Sequence, residues 1–347
     1  MFFKIKALAD AGVKVHLHAF TYGRKTHEIL EQFCHSVHLY DRQMNPLLML
    51  SGKPFIVRSR KSDELLERLG ADDHPILFEG DHTTFYIDHP QLRDKRKYLR
   101  IHNIESDYYR ALSKVEYSIF KRLYLRLESW KLSRYHPSRH AQGVIVLSEK
   151  DGQHVGFENR PTHFIPPFHG SREPIFHERK RPFALYHANL TVGENRQALQ
   201  FLLDEVFRDS SHRLMIYGDG MDPKMSQQVD GMSNVSHYEG PQNELLQLIK
   251  EAQVNVLPTF QSTGMKLKLL YSLFNGGHCL VNPPMVEGTG LGDLCEVAQD
   301  GAAMREALDT LMEEDFHSSA FEARKKMLVE RFSNSKNAQK LIEVLFA

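Results

Sequence analysis

Strand patterns and helix patterns alternate along this chain in two successive series, and a proline-rich stretch separates them. In the first series, Phe2, Ile5, Leu8 and Ala9 predict a helix over 2–11, which Gly12 ends. Residues 13–20 then alternate as a strand does. Strand-like segments recur at 36–40, 54–58, 76–79, 98–102 and 143–148, with a helical pattern at 62–69 among them. The second series predicts strands at 183–187, 213–217, 235–238, 254–257 and 278–281. Helices are predicted at 194–207, 242–252, 265–274 and 302–313, with a last one over 335–346. Strands that alternate with helices argue for a parallel, wound sheet, so the expected class is α/β. A length of 347 residues suggests two domains. Proline stiffens 164–170 and marks the boundary as a linker. The expected domains are 1–168 and 169–334, with the C-terminal helix 335–347 packing back on the first. Two such domains place a cleft between the carboxyl ends of two sheets, where ligands of open α/β sheets bind.

Within the first series, Ser106 and Asp107 offer an N-cap for one long helix that ends near Tyr135. Its apolar positions, among them Leu112, Ile119, Leu123, Leu127 and Trp130, form a stripe expected to face the core. A helix lying on a membrane surface is the other reading.

The strongest site signal is the strand 254–257 running through a short polar loop into a helix that opens with Lys266 and Lys268. A helix start offers unpaired backbone N–H groups and a positive dipole end. Lysines there oppose the dipole unless an anion sits between, so a phosphate or diphosphate is the expected guest. Asn189 and Thr191 belong to a second strand–loop–helix junction that can approach phosphates in the same way. Glu287, Gly288, Thr289 and Gly290 follow the strand 278–281. The glycines suggest positive φ or close ligand approach, and Glu287 suits a sugar or ribose hydroxyl pair. In the first half, His82 and His102, with Asn103 beside it, stand at the carboxyl ends of strands. No histidine pair carries metal spacing with a third ligand, and no nucleophile elbow is present.

Composition narrows the setting. Charge balances overall, yet residues 1–170 hold 26 Lys+Arg against 20 Asp+Glu, and residues 171–347 hold 18 against 24. The basic first half suits an anionic substrate or an anionic membrane surface. No nucleic-acid partner is expected. Cys34, Cys279 and Cys295 are odd in number and widely spaced, which reads as reduced thiols in a cytoplasmic protein. No apolar run approaches the roughly 18 residues of a membrane span. Lys4 and Lys6 interrupt the start, so no signal peptide is expected.

The stretch Thr263-Gly264-Met265-Lys266-Leu267-Lys268-Leu269-Leu270 resembles a motif of the GT-B nucleotide-sugar glycosyltransferases, in particular the retaining group 1, or family 4, enzymes. It is similar to a variant in which a Gly-x-Lys/Arg-Leu-Lys core replaces the commoner Glu-Gly-Phe-Gly loop. Val286-Glu287-Gly288-Thr289-Gly290-Leu291 resembles that branch's Glu-Gly-Leu segment. His102-Asn103-Ile104-Glu105 resembles the histidine motif placed beside the donor sugar. The likeness covers most of the chain and is strongest over 185–294.

The resemblance implies two Rossmann-like domains, with the donor held mainly by the second and the acceptor mainly by the first. It implies neither metal nor other cofactor, since basic side chains and helix dipoles neutralise the leaving diphosphate. Lys266 and Lys268, with His102, would carry the chemistry. Asn189, Thr191, Thr263, Gly264, Tyr271 and the 287–290 loop would bind a UDP-, GDP- or ADP-sugar. His82 and Asn103 would face a glycan or lipid-linked acceptor. Two departures stand out. The commonest signature has two glutamates eight positions apart where this chain has Thr263 and Tyr271, so Glu287 or a backbone group would have to serve the ribose. Family members also begin with a strand and a glycine-rich loop, whereas this chain begins inside what resembles the following helix. The first domain is therefore expected to lack its first strand, through a truncated start. The expected function is sugar transfer, in the cytoplasm or peripherally at the inner face of the membrane. The alternatives are a nucleotide-sugar-binding protein without catalysis and a sugar-nucleotide epimerase on the same fold.

Overall fold

The computed structural model describes residues 1–21, 28–153, 160–171, 173–177, 180–261 and 266–347. The chain divides into two compact units. One contains Met1–Phe168 and Phe332–Ala347, and the other contains His169–Ser262 and Lys266–Arg331.

Among the described residues, the first unit holds six parallel strands: β1 (His16–Phe20), β2 (Ser36–Tyr40), β3 (Ile76–Glu79), β4 (Lys97–Ile101), β5 (Gly143–Val146) and β6 (Thr162–Phe164). They form a two-stranded sheet, β1–β2, and a four-stranded sheet in the order β3–β4–β5–β6. The period of two sorts their side chains. Tyr98 and Ile145 face a core completed by Ala7 and Leu8 of the Phe2–Asp10 helix and by Ala338, Leu341 and Leu345 of the Asn334–Phe346 helix. Leu99, Ile101, Val144 and Val146 face the opposite core with Phe78 and Ile87. Val13 and Val15, which lead into β1, share the first of these cores with Leu77 of β3, and Phe20 and Ile76 share a third. Thus β1 and β3 belong to one layer, yet no ladder joins them among the described residues.

The second unit is a six-stranded parallel sheet of β7 (Arg181–His187), β8 (Leu214–Tyr217), β9 (Val235–Tyr238), β10 (Ala252–Val256), β11 (His278–Val281) and β12 (Glu296–Val297), in the order β12–β11–β10–β7–β8–β9. Here too the strands are two-faced. Ala184 and Tyr186 of β7 enter the large core of Leu199, Leu203, Val206 and Leu308, while Phe183 and Leu185 pack with Tyr217 and Ile249.

Four sequence expectations are corrected. Residues 54–58 form a helical turn, Phe55–Arg58, because Pro54 starts it and the Glu128 carboxylate accepts the Phe55 N–H at 2.6 Å. The single long helix is two, Glu105–Val115 and Ile119–Ser133. Ser118 caps the second by accepting from Lys121 N, and Glu116 Oε1 accepts from Ser118 N at 2.9 Å. The helices fold back on each other, with Ser129 Oγ donating to the Ser106 carbonyl at 2.8 Å. The apolar stripe does not face the core: Leu123, Leu127 and Trp130 are exposed. Finally, Ile165–Phe168 is buried and is no open linker. Ile165 and Phe168 enter the first core, and the Arg100 guanidinium lies 5.6 Å from the Phe168 ring.

Candidate functional site

Strand order in the second unit reverses between β7 and β10, and open α/β sheets bind ligands outside the carboxyl ends of the strands at such a reversal. Two loops border it. After β7, Asn189 Oδ1 accepts from Thr191 N at 3.0 Å and from Thr191 Oγ1 at 2.6 Å, and the Asn189 carbonyl accepts from Asn195 Nδ2 at 2.8 Å. These bonds set the turn into the Gly193–Phe201 helix. The loop after β8 lies against it through two glycines. A Cβ on Gly218 would fall 1.7 Å from the Ala188 carbonyl oxygen, and one on Gly220 would fall 2.4 Å from Thr191 Cγ2.

After β10 the chain enters the Leu267–Asn275 helix with Lys266 as N-cap. Lys266 Nζ stands 3.6 Å from Glu194 Oε1, and Lys268 Nζ stands 3.2 Å from Asn195 Oδ1 and 5.3 Å from the centre of the Tyr186 ring. Glu194 also accepts from the Thr259 hydroxyl. The lysines of one strand–helix junction therefore meet the first turn of the other, which gathers Asn189, Thr191, Lys266 and Lys268. Burial pushes the Lys268 ammonium down to about 8; Glu194 opposes the fall and Lys266 adds to it. Thr263 and Gly264 lie outside the described residues.

The loop after β11 is shaped by Gly288 and Gly290, whose φ values are 70° and 67°. A side chain at Gly290 would strike the Arg331 guanidinium, 2.3 Å away. Thr289 is 2% exposed; its hydroxyl donates to the Val286 carbonyl at 2.7 Å and accepts from Leu291 N at 3.1 Å, so it holds the loop together. Glu287 is exposed. Tyr271 packs against the cluster of Phe183, Leu185, Tyr217, Ile249 and Ala252, and its hydroxyl receives a 3.5 Å bond from Gln242.

Sequence reasoning missed Glu194, Asn195 and Thr259, which line up the lysines. The signal was their position, since the first two follow the 188–193 loop directly. It also missed the buried row beneath, in which His187 Nε2 meets Ser272 Oγ at 3.1 Å and Ser272 Oγ donates to Asn255 Oδ1 at 3.5 Å. Burial, helped by Lys268, pushes the His187 imidazole down to about 3, so it serves as a neutral polar contact.

In the first unit, β3 and β4 deliver a charged group at their carboxyl ends. Glu79 pairs with Lys4, with Arg100 Nη1 at 3.4 Å and with His102 Nε2 at 3.0 Å. Its burial favours the neutral acid, but Lys4, the His102 hydrogen bond and Arg100 together hold the carboxyl well below its usual range. His82 stands in the turn Asp81–Thr83, and burial, with Arg60 and His102 nearby, pushes it down to about 3. Next to these residues lies a cavity of about 190 Å³, lined by Asp81, Asn103, Glu105, Arg110, Tyr135 and His136 among others. The structure thus brings His82, His102 and Asn103 together.

Burial raises Asp81 to about 7, with Glu105 adding to it, and raises Glu105 to about 7 against the pull of Arg60. A carboxyl whose pKa is higher in the folded state binds more protons there than when unfolded. Its stabilising effect is therefore full at low pH and is lost as pH rises from about 4 towards 7. Asp81→Asn is expected to leave the unfolding midpoint unchanged at pH 4 and to gain about 1–2 kcal/mol at pH 8, measured by denaturant titration.

Residues 181–314 match the family described as Glycosyl transferases group 1. An uncharacterized 44.6 kDa protein from the cps region of Klebsiella pneumoniae is 26% identical over 296 residues, covering 79% of this chain and 75% of that protein. Anabaena HepE, solved with UDP and glucose, superposes with a TM-score of 0.66 at 13% identity, covering 99% of this chain and 94% of HepE. Arabidopsis thaliana UGT89C1, solved with UDP, gives 0.59 at 12% identity, with 99% and 95% covered. S. aureus TarM, solved with fondaparinux, alpha-GlcNAc-glycerol and UDP, gives 0.56 at 12% identity; 78% of this chain is covered but only 55% of TarM. At these identities the solved structures carry the fold, and the family match is confined to the segment from β7 to β12. This chain thus has the fold of the GT-B glycosyltransferases, and residues 181–314 of its second unit are similar to the group 1 family.

Proposed function

We propose that this protein transfers a sugar from a UDP-sugar to an acceptor hydroxyl, with retention and without a metal, in the synthesis of a glycan or glycolipid. One observation carries the reading: Lys266 and Lys268 flank the start of the Leu267–Asn275 helix at the β7/β10 reversal, against Glu194 and Asn195 in the first turn that follows the Asn189–Thr191 loop. Leaving-group charge develops on the diphosphate in such a transfer. Two ammonium groups and a helix N-terminus fixed beforehand stabilise that charge as it forms. They supply the positive charge that a divalent cation supplies elsewhere. HepE and UGT89C1 were solved with UDP, which favours uridine. The relative in a capsule region favours a polysaccharide product. Glu287 is assigned to the ribose hydroxyls, because its carboxylate is exposed on the loop after β11 while the Tyr271 ring is half-buried against a core cluster. His102, with His82 and Asn103, is assigned to the acceptor or the donor sugar.

The reading is tested by thermal shift with UDP, GDP and ADP, each with and without EDTA. UDP is expected to raise the unfolding temperature, equivalent to about 2.7 kcal/mol at a hundredfold excess over Kd, with EDTA making no difference. Mass spectrometry of reactions supplied with UDP-sugars and glycan acceptors then reads transfer. No stabilisation by any of the three nucleotides would sink the reading.

A further inference from the structure

The Ile119–Ser133 helix is amphipathic in the reverse sense. Its buried residues are Glu128, Ser129, Lys131 and Leu132, and all but the last are polar. They are fixed by bonds: Glu128 to Phe55 N at 2.6 Å, Lys131 to Glu128 at 3.2 Å, and Ser129 to the Ser106 carbonyl at 2.8 Å. The outward side carries Ile119 at 68% exposure, Phe120 at 86%, Leu123 at 57%, Leu127 at 46% and Trp130 at 53%. Positions 120, 123, 127 and 130 stand three or four apart, so they line one stripe. A helix that only served the fold would turn these residues inward. The stripe also has a sign. Lys121, Arg126 and Arg134 are exposed beside it, and the one carboxylate of the helix, Glu128, is buried against Lys131. The Arg134 guanidinium lies 4.2 Å over the Trp130 ring. The turn Pro46–Leu50 adds Leu47 at 69% and Leu50 at 84%, and Lys131 Nζ ties it to the helix through the Met49 carbonyl.

We propose that this face seats on an anionic lipid bilayer, with the helix lying in the headgroup layer. Charge decides among occupants. A second copy related by a two-fold axis would set Lys121, Arg126 and Arg134 against a face of the same sign. An anionic bilayer accepts aromatic and aliphatic side chains at its boundary and attracts each cation beside them. The helix has 15 residues, and no described helix is long and apolar enough to cross a membrane, so it would lie on the surface. This inference is independent of the donor-site reading.

Trp130 is the only tryptophan in the chain, so it reports its own environment. Vesicles of phosphatidylglycerol and phosphatidylethanolamine are expected to shift its emission to the blue and to carry the full chain to the top of a flotation gradient. Phosphatidylcholine vesicles should do neither, and high salt should release the protein. Phe120→Glu with Leu127→Glu is expected to lower binding at least about tenfold. Because both positions are exposed, the unfolding temperature and the nucleotide-induced shift should not change. The proposal fails if phosphatidylglycerol vesicles leave the emission and the flotation unchanged, or if the double variant binds them as the parent does. A blue shift that grows with protein concentration without lipid, alongside a dimer in sedimentation, would overturn it in favour of a second copy.

Discussion

Replacing Lys266 and Lys268 together by alanine is expected to lower kcat/KM for sugar transfer by about three orders of magnitude or more, with circular dichroism and unfolding midpoint close to those of the parent. Removing one fixed donor to a developing negative charge typically costs about a hundred- to a thousandfold. The fold should tolerate the change. Lys268 is held in its charged form against burial, so its loss removes a desolvation penalty as well as the contact with Asn195. A pH signature belongs to the same pair. Lys268 titrates at about 8 without ligand, and a bound diphosphate would favour its protonated form. Nucleotide affinity should therefore be full below pH 8 and decline above it, with proton uptake on binding seen by calorimetry in buffers of different ionisation enthalpy. Transfer unaltered in the double variant would remove these lysines from the mechanism.

Glu79→Gln is expected to destabilise the first unit by about 3–5 kcal/mol, read as a shift in denaturant midpoint at constant slope. The side chain is 12% exposed, and it is the carboxylate that Lys4 and Arg100 share, at 6% and 5% exposure. Glutamine preserves the shape and leaves two buried cations facing a neutral group. The parent should also show an acid dependence that the variant lacks. Because the folded pKa of Glu79 is depressed, its contribution is complete above the ordinary glutamate pKa of 4.5 and is lost as pH falls through the folded value. A second substitution, Lys4→Met, should return part of the lost stability to Glu79→Gln, since it removes one of the stranded charges. Failure of that rescue would mean that the cluster does not act as a unit.

Much of the candidate site in the second unit was legible because it is local. A strand, a loop and a helix that opens with lysines are adjacent in sequence, and a helix start has the same unpaired N–H groups wherever it occurs. The turn at Asn189–Thr191 was legible for the same reason. The partners of the lysines were not, because Glu194 and Asn195 lie more than 70 residues away in sequence from Lys266 and Lys268. Only the order β10–β7 sets those two junctions side by side. The burial of the Glu79 cluster has the same origin, since Lys4 and Glu79 stand 75 positions apart.

The α/β class and the two series of strands and helices follow from the sequence by itself. Hydrophobic period, turn residues and helix polarity act over a few residues at a time. Tertiary structure decided three things that no local pattern contains. It split the predicted long helix at Glu116–Ser118 and turned the Phe120–Trp130 stripe outward, because Glu128 and Lys131 found buried partners at Phe55 and Met49. It set Tyr271, half-buried, against a core cluster and left Glu287 exposed. It also drew His82, His102 and Asn103 to the ends of β3 and β4, beside a carboxylate that three bases share. Each outcome depends on which distant group supplies the missing hydrogen bond or counter-charge, and that is fixed only when the strands have taken their order.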